Sequence, residues 1–421
     1  MVSKCRVAVL SALCACCLVS SRAEDWGQWR GPNRSGRVPS DWPVPETLSG
    51  DLKVNWRMKI GEGLASPVIS GGKVVYLDHQ AGKEVVHAVT METGSALWEA
   101  PLDDAFKDSQ GPVGPRCTPV IDEDLVFAQS CKGELQCFSL RSGRKLWGVN
   151  YQKKFGSVFI GEKGQAQGAS RHGYNGAPVV DGERLFAVVG GTNGAGIVCF
   201  NKETGKVLWK SQNETAAYAP PIMANFDEVK QVVAFTADSL LSVSADKGKL
   251  LWRVPLKTTL ARHVTTPAIL GDSVYVASHE LGLVRVKITA KDGKFQAKQE
   301  WALKEAAFNF ASPVALGDQL YGLGPKKNIV CVDPRGEVLW SKEGFFTTDA
   351  GKAWASFLVM QDNLLMLTDS GQLVLLGAGP WECHEISRTQ VCGSNWCYPA
   401  YADGRLYLRD NRELICVTLM R

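Results

Sequence analysis

A tryptophan closes nearly every unit of this chain, always at the same place in a recurring phrase. The phrase opens with Ser, Thr, Ala or Pro before a Pro. It then passes through a two-residue turn such as Gly-Asp and two apolar stretches, and ends near Gly-Lys-x-Leu-Trp. It runs from Ser66 to Trp98, Thr118 to Trp147, Ala177 to Trp209, Pro220 to Trp252, Thr266 to Trp301 and Ser312 to Trp340. Successive Trp residues stand 49, 62, 43, 49 and 39 residues apart, close to the ~40–50 residues of one blade in a radially repeated β-sheet fold.

The third unit shows the physics. Pro178-Val179-Val180 reads as an inner strand, Asp181-Gly182 as a tight turn and Arg184 to Val189 as a second strand. Ile197 to Phe200 and Lys206 to Lys210 supply the third and fourth. These runs are short, rich in β-branched residues and bounded by turn signals, and no long 3.6-residue period competes with them. Asp-Gly, Gly-Asp and Thr-Gly-Lys punctuate them because such turns favour residues that tolerate positive φ.

Two weaker units follow the six. Ser356-Phe357-Leu358 opens the seventh, which has Trp381 in a turn and Cys383 to Arg388 as its outer strand. Tyr398-Pro399-Ala400 opens the eighth, whose later strands are Gly404 to Leu408 and Leu414 to Val417, with no closing Trp after them. The missing outer strand stands at the other end, in Leu52 to Arg57, which carries Trp56 followed by a basic residue. The expected fold is therefore all-β: an eight-bladed β-propeller of four-stranded antiparallel blades, spanning 51–421. The N-terminal strand should close the ring by pairing with the last blade. Closure leaves no free sheet edge. The Trp girdle is expected to be core, since a buried indole covers ~150–250 Å² and clamps neighbouring blades.

Residues 1–23 stand apart. Lys4 and Arg6 precede the apolar run Val7 to Ser20, and Ser21-Arg22-Ala23 offers a small-x-small cleavage site, the pattern of a secretory signal peptide. The run is too short for an ordinary membrane span. Leu13-Cys14-Ala15-Cys16 partly matches a lipobox, so a lipid anchor at Cys16 is the alternative processing. Residues 24–50 form a head segment before the first blade. The expected location is periplasmic or extracellular, including association with the outer membrane.

Without Lys4, Arg6 and Arg22 the chain keeps 44 basic and 43 acidic side chains. No basic run with interleaved aromatics occurs, so nucleic acid and anionic membrane are not expected partners. Of 13 cysteines, four fall within the leader. Cys137, Cys199, Cys331 and Cys416 recur at one third-strand position where Ala88 and Ser242 stand elsewhere, the pattern of a small buried side chain. Cys117 and Cys397 share another repeat position. In an oxidising compartment, Cys392–Cys397 or Cys383–Cys392 is the expected bridge.

The stretch Phe200-Asn201-Lys202-Glu203-Thr204-Gly205-Lys206-Val207-Leu208-Trp209 resembles the repeat of pyrroloquinoline-quinone (PQQ) enzyme-like propellers. The head Trp26-Gly27-Gln28-Trp29-Arg30-Gly31-Pro32-Asn33 is similar to the start of many secreted bacterial propellers of this group. The resemblance covers nearly the whole chain after the leader. It implies the propeller fold, and its members range from quinoprotein alcohol dehydrogenases to noncatalytic scaffolds such as the BamB-like assembly lipoproteins.

For the enzymes, the resemblance implies adjacent cysteines, a Trp platform, a Ca²⁺ site of Glu, Asn and Asp, and an Asp base. The only adjacent cysteines here are Cys16-Cys17, in the leader. Inner strands open at Ser66, Thr118, Ala177, Pro220, Thr266, Ser312, Ser356 and Tyr398, with no carboxylate among them. A hard cation needs several oxygen ligands. Asp349 and Asp227 are the loop carboxylates that could still approach. No HExxH, paired CxxC, Gly-x-Ser-x-Gly or P-loop occurs, and Gly190 to Gly196 joins two strands as a hairpin loop. No catalytic or metal-ligating residue and no cofactor is expected. PQQ with Ca²⁺ belongs to the alternative reading, a quinoprotein dehydrogenase with an atypical site.

One constellation suggests binding. Arg116, Arg171, His172, Arg262 and His263 lie just before inner strands, where a propeller brings loops out around the channel mouth. Asn309, Trp354 and Trp396 occupy comparable positions, as do Asn175 and Asn395. Arg forks and aromatics there suit an anionic or carbohydrate-like ligand, or a partner's acidic loop. The same side chains can equally satisfy loop carbonyls between blades. The longest insertion, Gly148 to Gly173, offers Lys153 to Phe155 and Val158 to Ile160, and Trp98 to Arg116 is the second longest. Both are candidate recognition loops. The expectation is a monomeric, noncatalytic envelope or secreted scaffold that binds a protein, peptide or extracellular polymer on its loop face.

Overall fold

The computed structural model describes residues 25–109, 111–162, 166–308, 310–346 and 353–420. The expected leader lies outside them, and so do Asn309 and Asp349. Eight four-stranded antiparallel sheets follow one another round a ring. Their inner strands are Val68–Ser70, Val120–Asp122, Val179–Asp181, Ile222–Phe226, Ala268–Leu270, Val314–Leu316, Ala355–Met360 and Ala400–Ala402, defining blades 1 to 8. The N-terminal strand Val54–Lys59 pairs antiparallel with Glu413–Thr418 and completes blade 8. No helix among the described residues is long and apolar enough to cross a membrane.

The residue before each closing Trp turns out to be a bulge. In blade 3 Cys199 pairs with Trp209 and Phe200 with Val207, so Leu208 is skipped. The same skip occurs at Leu97, Leu146, Leu251, Glu300 and Leu339. Blade 8 repeats it at Asn55, with Trp56 opposite Cys416. A bulge sharpens the local twist and re-aims the side chain that follows. Here it turns the indole onto the next blade.

Trp98 Nε1 donates to Leu140 O at 2.9 Å, Trp147 Nε1 to Lys202 O at 2.9 Å and Trp340 Nε1 to Gly379 O at 2.8 Å. At five junctions the ring face lies on a turn glycine of the next blade: Trp56 on Gly94, Trp98 on Gly143, Trp147 on Gly205, Trp209 on Gly248 and Trp301 on Gly336. Gly205 has φ +66°, and a Cβ there would meet the Trp147 ring at 2.6 Å. That turn is glycine for two reasons at once, backbone hand and indole contact. The recurring cysteines sit opposite these Trp residues on buried third strands.

Blade 7 lacks the Trp. Ser387 holds its register position, after a skip at Ile386. Ser387 Oγ instead accepts from Leu48 N at 2.8 Å, and Thr389 Oγ1 donates to Gly50 O at 3.0 Å. The linker from the head thus covers the place an indole takes elsewhere. Trp381, in the turn before this outer strand, is 90% exposed.

The disulfide expectation is corrected. All nine described cysteines are free, buried thiols. Cys383 opens the strand Cys383–Gln390 and Cys392 follows its end. At ~3.3 Å per residue that extended run holds their Cα atoms far beyond the ~7 Å limit for a bridge. Cys392 Sγ accepts from Asn395 Nδ2 at 3.6 Å, while Cys397 Sγ donates to Leu64 O at 3.3 Å.

Candidate functional site

The axial channel is filled by the chain's own head. Trp26 forms a bridge with Ile69 of blade 1, and Ile121 N of blade 2 donates to Gly27 O at 2.6 Å. Arg34, 2% exposed, donates through Nη1 to Ala177 O at 2.8 Å and Pro221 O at 3.0 Å, and through Nη2 to Pro178 O. Its Nε donates to Gln28 Oε1 at 2.8 Å. Trp29 Nε1 donates to Thr266 Oγ1 of blade 5 at 2.8 Å, and Arg30 Nη2 to Pro313 O of blade 6 at 2.7 Å. Val38 N donates to Val359 O of blade 7 at 2.9 Å. Trp29 meets Tyr398 of blade 8 edge-on, with centroids 4.6 Å apart.

One loop therefore contacts every blade, and two guanidinium groups stand on the axis. Burial pulls the pKa of both arginines below the usual range, but a guanidinium keeps its charge at neutral pH. Carbonyl dipoles at the inner-strand starts, three on Arg34 and Pro313 O on Arg30, stabilise that charge in place of carboxylates. This role escaped the sequence reading because Arg30 and Arg34 occur once each, outside the repeat.

Beyond Trp29 the loops before the inner strands open into a cavity of about 860 Å³. Arg116, His172, Arg262, Trp354 and Trp396 all line it, together with Asn175 and Tyr218. Arg171 and His263 do not. Arg171 is buried in the short helix Ala169–His172. His263 stacks on Phe235, with ring centroids 4.1 Å apart, and its Nε2 lies 3.2 Å from Thr258 Oγ1. Loop and core partners hold His263, as polar groups in connecting segments require, while Arg171 is buried with its Nε unpaired among the described residues.

The lining has two unlike sides. On the side of blades 2 to 5, Arg116 grips Asp108 through both terminal nitrogens at 2.8 and 2.9 Å, and His172 Nδ1 lies 2.7 Å from Asp108 Oδ2. Burial lowers the His172 pKa, and Asp108 opposes the shift. The neutral ring that burial favours donates from Nδ1 to the carboxylate and presents Nε2 as an acceptor. On the side of blades 6 to 8 stand aromatic rings. Phe310 meets Trp396 at 5.8 Å and Trp354 meets Tyr398 edge-on at 5.7 Å.

In the long insertion, Phe155 is buried and Phe159 packs edge-on against Phe106 at 5.0 Å, while Val158 and Ile160 stay exposed. The two longest insertions thus brace each other beside the cavity.

A Ca²⁺–quinone centre does not match this donor set. Among the described residues no three His, Cys, Asp or Glu side chains stand where they could hold a metal ion. Of the carboxylates beside the cavity, Asp108 is committed to Arg116 and His172, and Asp369 Oδ2 accepts from Trp354 N at 3.4 Å. Two buried arginines on the axis add positive charge where a divalent cation would need oxygen anions.

With this geometry in hand, comparison places the chain. The family model described as outer membrane protein assembly factor BamB matches residues 49–173 and 167–342. The chain belongs to that family. It is 22% identical over 291 residues to the outer membrane protein assembly factor BamB of Shewanella oneidensis, covering 67% of this chain and 70% of that protein. Against the Burkholderia pseudomallei protein of the same name it is 24% identical over 319 residues, covering 66% and 76%.

Two solved structures share the fold. BamB from Moraxella catarrhalis superposes with a TM-score of 0.61 at 14% identity, over 87% of this chain and all of that one. The quinohemoprotein alcohol dehydrogenase ADHIIG from Pseudomonas putida also gives 0.61, at 11% identity, over 94% and 80%. Equal scores for a BamB and for a dehydrogenase show that fold alone does not choose between them.

Proposed function

We propose that this chain is a noncatalytic, exported propeller of the bacterial envelope, acting as a scaffold in outer-membrane protein assembly. The observation that carries the reading is the axis. The channel that a quinone centre would need is occupied by Arg30, Arg34 and Trp29 of the head, and among the described residues no three His, Cys, Asp or Glu side chains stand where they could hold a cation. Membership of the BamB family supports the assembly role. Export rests on the leader at 1–23, with cleavage after Ala23 and acylation of Cys16 as its two forms. The mass of the mature N-terminus distinguishes them.

Deleting the gene in its native host should lower the amount of folded outer-membrane β-barrel protein, and restoring the chain should recover it. Purified mature chain titrated with PQQ and Ca²⁺ should show no saturable quenching of Trp fluorescence. Ca²⁺-dependent quenching with turnover of an alcohol or aldose would overturn the reading in favour of the dehydrogenase. Unchanged barrel levels would remove the assembly role.

A further inference from the structure

We infer that the cavity above Trp29 is a saccharide site that takes the end of an acidic glycan. The inference rests on the noncatalytic reading but not on the assembly role.

Among the described residues, three buried polar atoms beside the cavity have no hydrogen-bond partner: Arg116 Nε, Asn175 Oδ1 and Tyr218 Oη. The Arg116 side chain is 7% exposed and Tyr218 6%. Leaving such atoms bare costs ~1–3 kcal/mol each, a cost that persists unless something fills the space. Their carriers line the cavity from three neighbouring loops, and beside them the His172 ring and the Arg262 guanidinium supply an acceptor and donors. The opposite wall, Trp354, Trp396 and Phe310, is apolar and aromatic. A pyranose ring has the matching anatomy, a C–H face that lies on an indole and a rim of hydroxyls that both donate and accept.

Two further features narrow the ligand. Arg262, half-buried at the cavity, makes no ion pair among the described residues, whereas the Arg116 charge is already met by Asp108. One free guanidinium fits one carboxylate, as on a uronic acid. Trp29 and the head seal the channel behind the cavity, so the ligand must end there and cannot thread through. A volume of about 860 Å³ falls in the ~300–1,000 Å³ range of small-ligand sites.

The test is a glycan array carrying uronate-terminated and neutral oligosaccharides, probed with the purified mature chain. Glucuronate and glucose would then be titrated in solution by Trp fluorescence. Binding should favour uronate-terminated glycans. Trp396→Ala should weaken all binding at least tenfold, and Arg262→Ala should remove the acid-over-neutral preference while leaving thermal unfolding unchanged. No signal across the array, or binding indifferent to both substitutions, overturns the inference. So does binding of an acidic peptide array in place of glycans. A chain that binds no glycan yet restores outer-membrane assembly loses this inference alone. One that binds glycan without affecting assembly loses only the assembly role.

Discussion

At the rim, five junctions are fastened by an indole lying on a glycine turn of the next blade, as with Trp147 on Gly205. At the axis, all eight blades are fastened at once by one loop, five of them through Arg30, Arg34 and Trp29 and the others through Trp26, Gly27 and Val38. The rim device is repeated, so losing one copy loosens one junction, in the manner of repeat proteins whose stability sums over neighbours. The axial device is single and buried, so losing it leaves several carbonyls bare in one place. The contrast separates local from global failure.

The sharpest way to break the comparison is Arg34→Ala. It strips partners from Ala177 O, Pro178 O and Pro221 O, and charged hydrogen bonds contribute roughly 1.5–3 kcal/mol each before relaxation. A loss of about 4 kcal/mol in urea-unfolding stability is expected, with the whole ring unfolding in one transition. A loss under ~1 kcal/mol would make the axis ornamental.

Trp147→Ala is the matching rim experiment. Removing a half-buried indole and its bond to Lys202 O should cost about 3 kcal/mol. Hydrogen exchange should rise chiefly in blades 2 and 3. Uniform loss of protection across the ring would contradict the local character of the clamp.

A third test lies between rim and axis. Glu84 of blade 1 is fully buried facing Cys131 N of blade 2, both carboxylate oxygens 3.4 Å away. Burial raises its pKa from 4.5 to about 7. A carboxyl that holds its proton more tightly when folded stabilises the fold most below its unfolded pKa. That contribution falls as pH rises from 4.5 to about 7, where the charged form is buried. Stability should drop by roughly 3 kcal/mol across that window. Glu84→Gln should flatten the drop, as read by denaturation midpoints at pH 5 and pH 8.

The smallest effect belongs to the turn itself. Gly205→Ala keeps the indole but forces a Cβ into it at φ +66°, and should cost about 1–2 kcal/mol. An unchanged midpoint would mean that the indole yields.

The fold was legible because its signals recur. Trp98, Trp147, Trp209 and the glycine turns they touch are periodic, and even the orphan strand around Trp56 announced its place by sharing their ending. What recurs imperfectly was still readable as departure, since Ser387 marks the junction where Leu48 and Gly50 replace an indole. The axis carried no such signal. Arg30 and Arg34 sit in a segment without strand pattern, and their partners are backbone carbonyls, which no side-chain motif reveals. A run holding two Trp and two Arg among Gly and Pro was the available hint.

The cavity was half legible. Position relative to the repeat brought Arg116, His172, Arg262, Trp354 and Trp396 to one place. It could not say that Arg171 and His263, each adjacent in sequence to one of these, turn inward. Neighbours on an irregular loop have no fixed period to assign their faces. The unpaired atoms of Asn175 and Tyr218 depend on local geometry that sequence does not carry.

The strand Val54–Lys59 pairs with Glu413–Thr418, and this sets a timetable for the chain's own making. The head and the first strand leave the ribosome before any blade exists, yet the inner strands that hold the head are spread over the whole ring and the strand's partner comes last. Contacts of such long sequence separation form late and slowly. Arg34 and Arg30 find their partners once residues 221 and 313 are made, but the strand Val54–Lys59 keeps an unpaired edge until residue 418 arrives. The molecule is thus most exposed to misassembly just before it is finished, and it is completed by a single closing step.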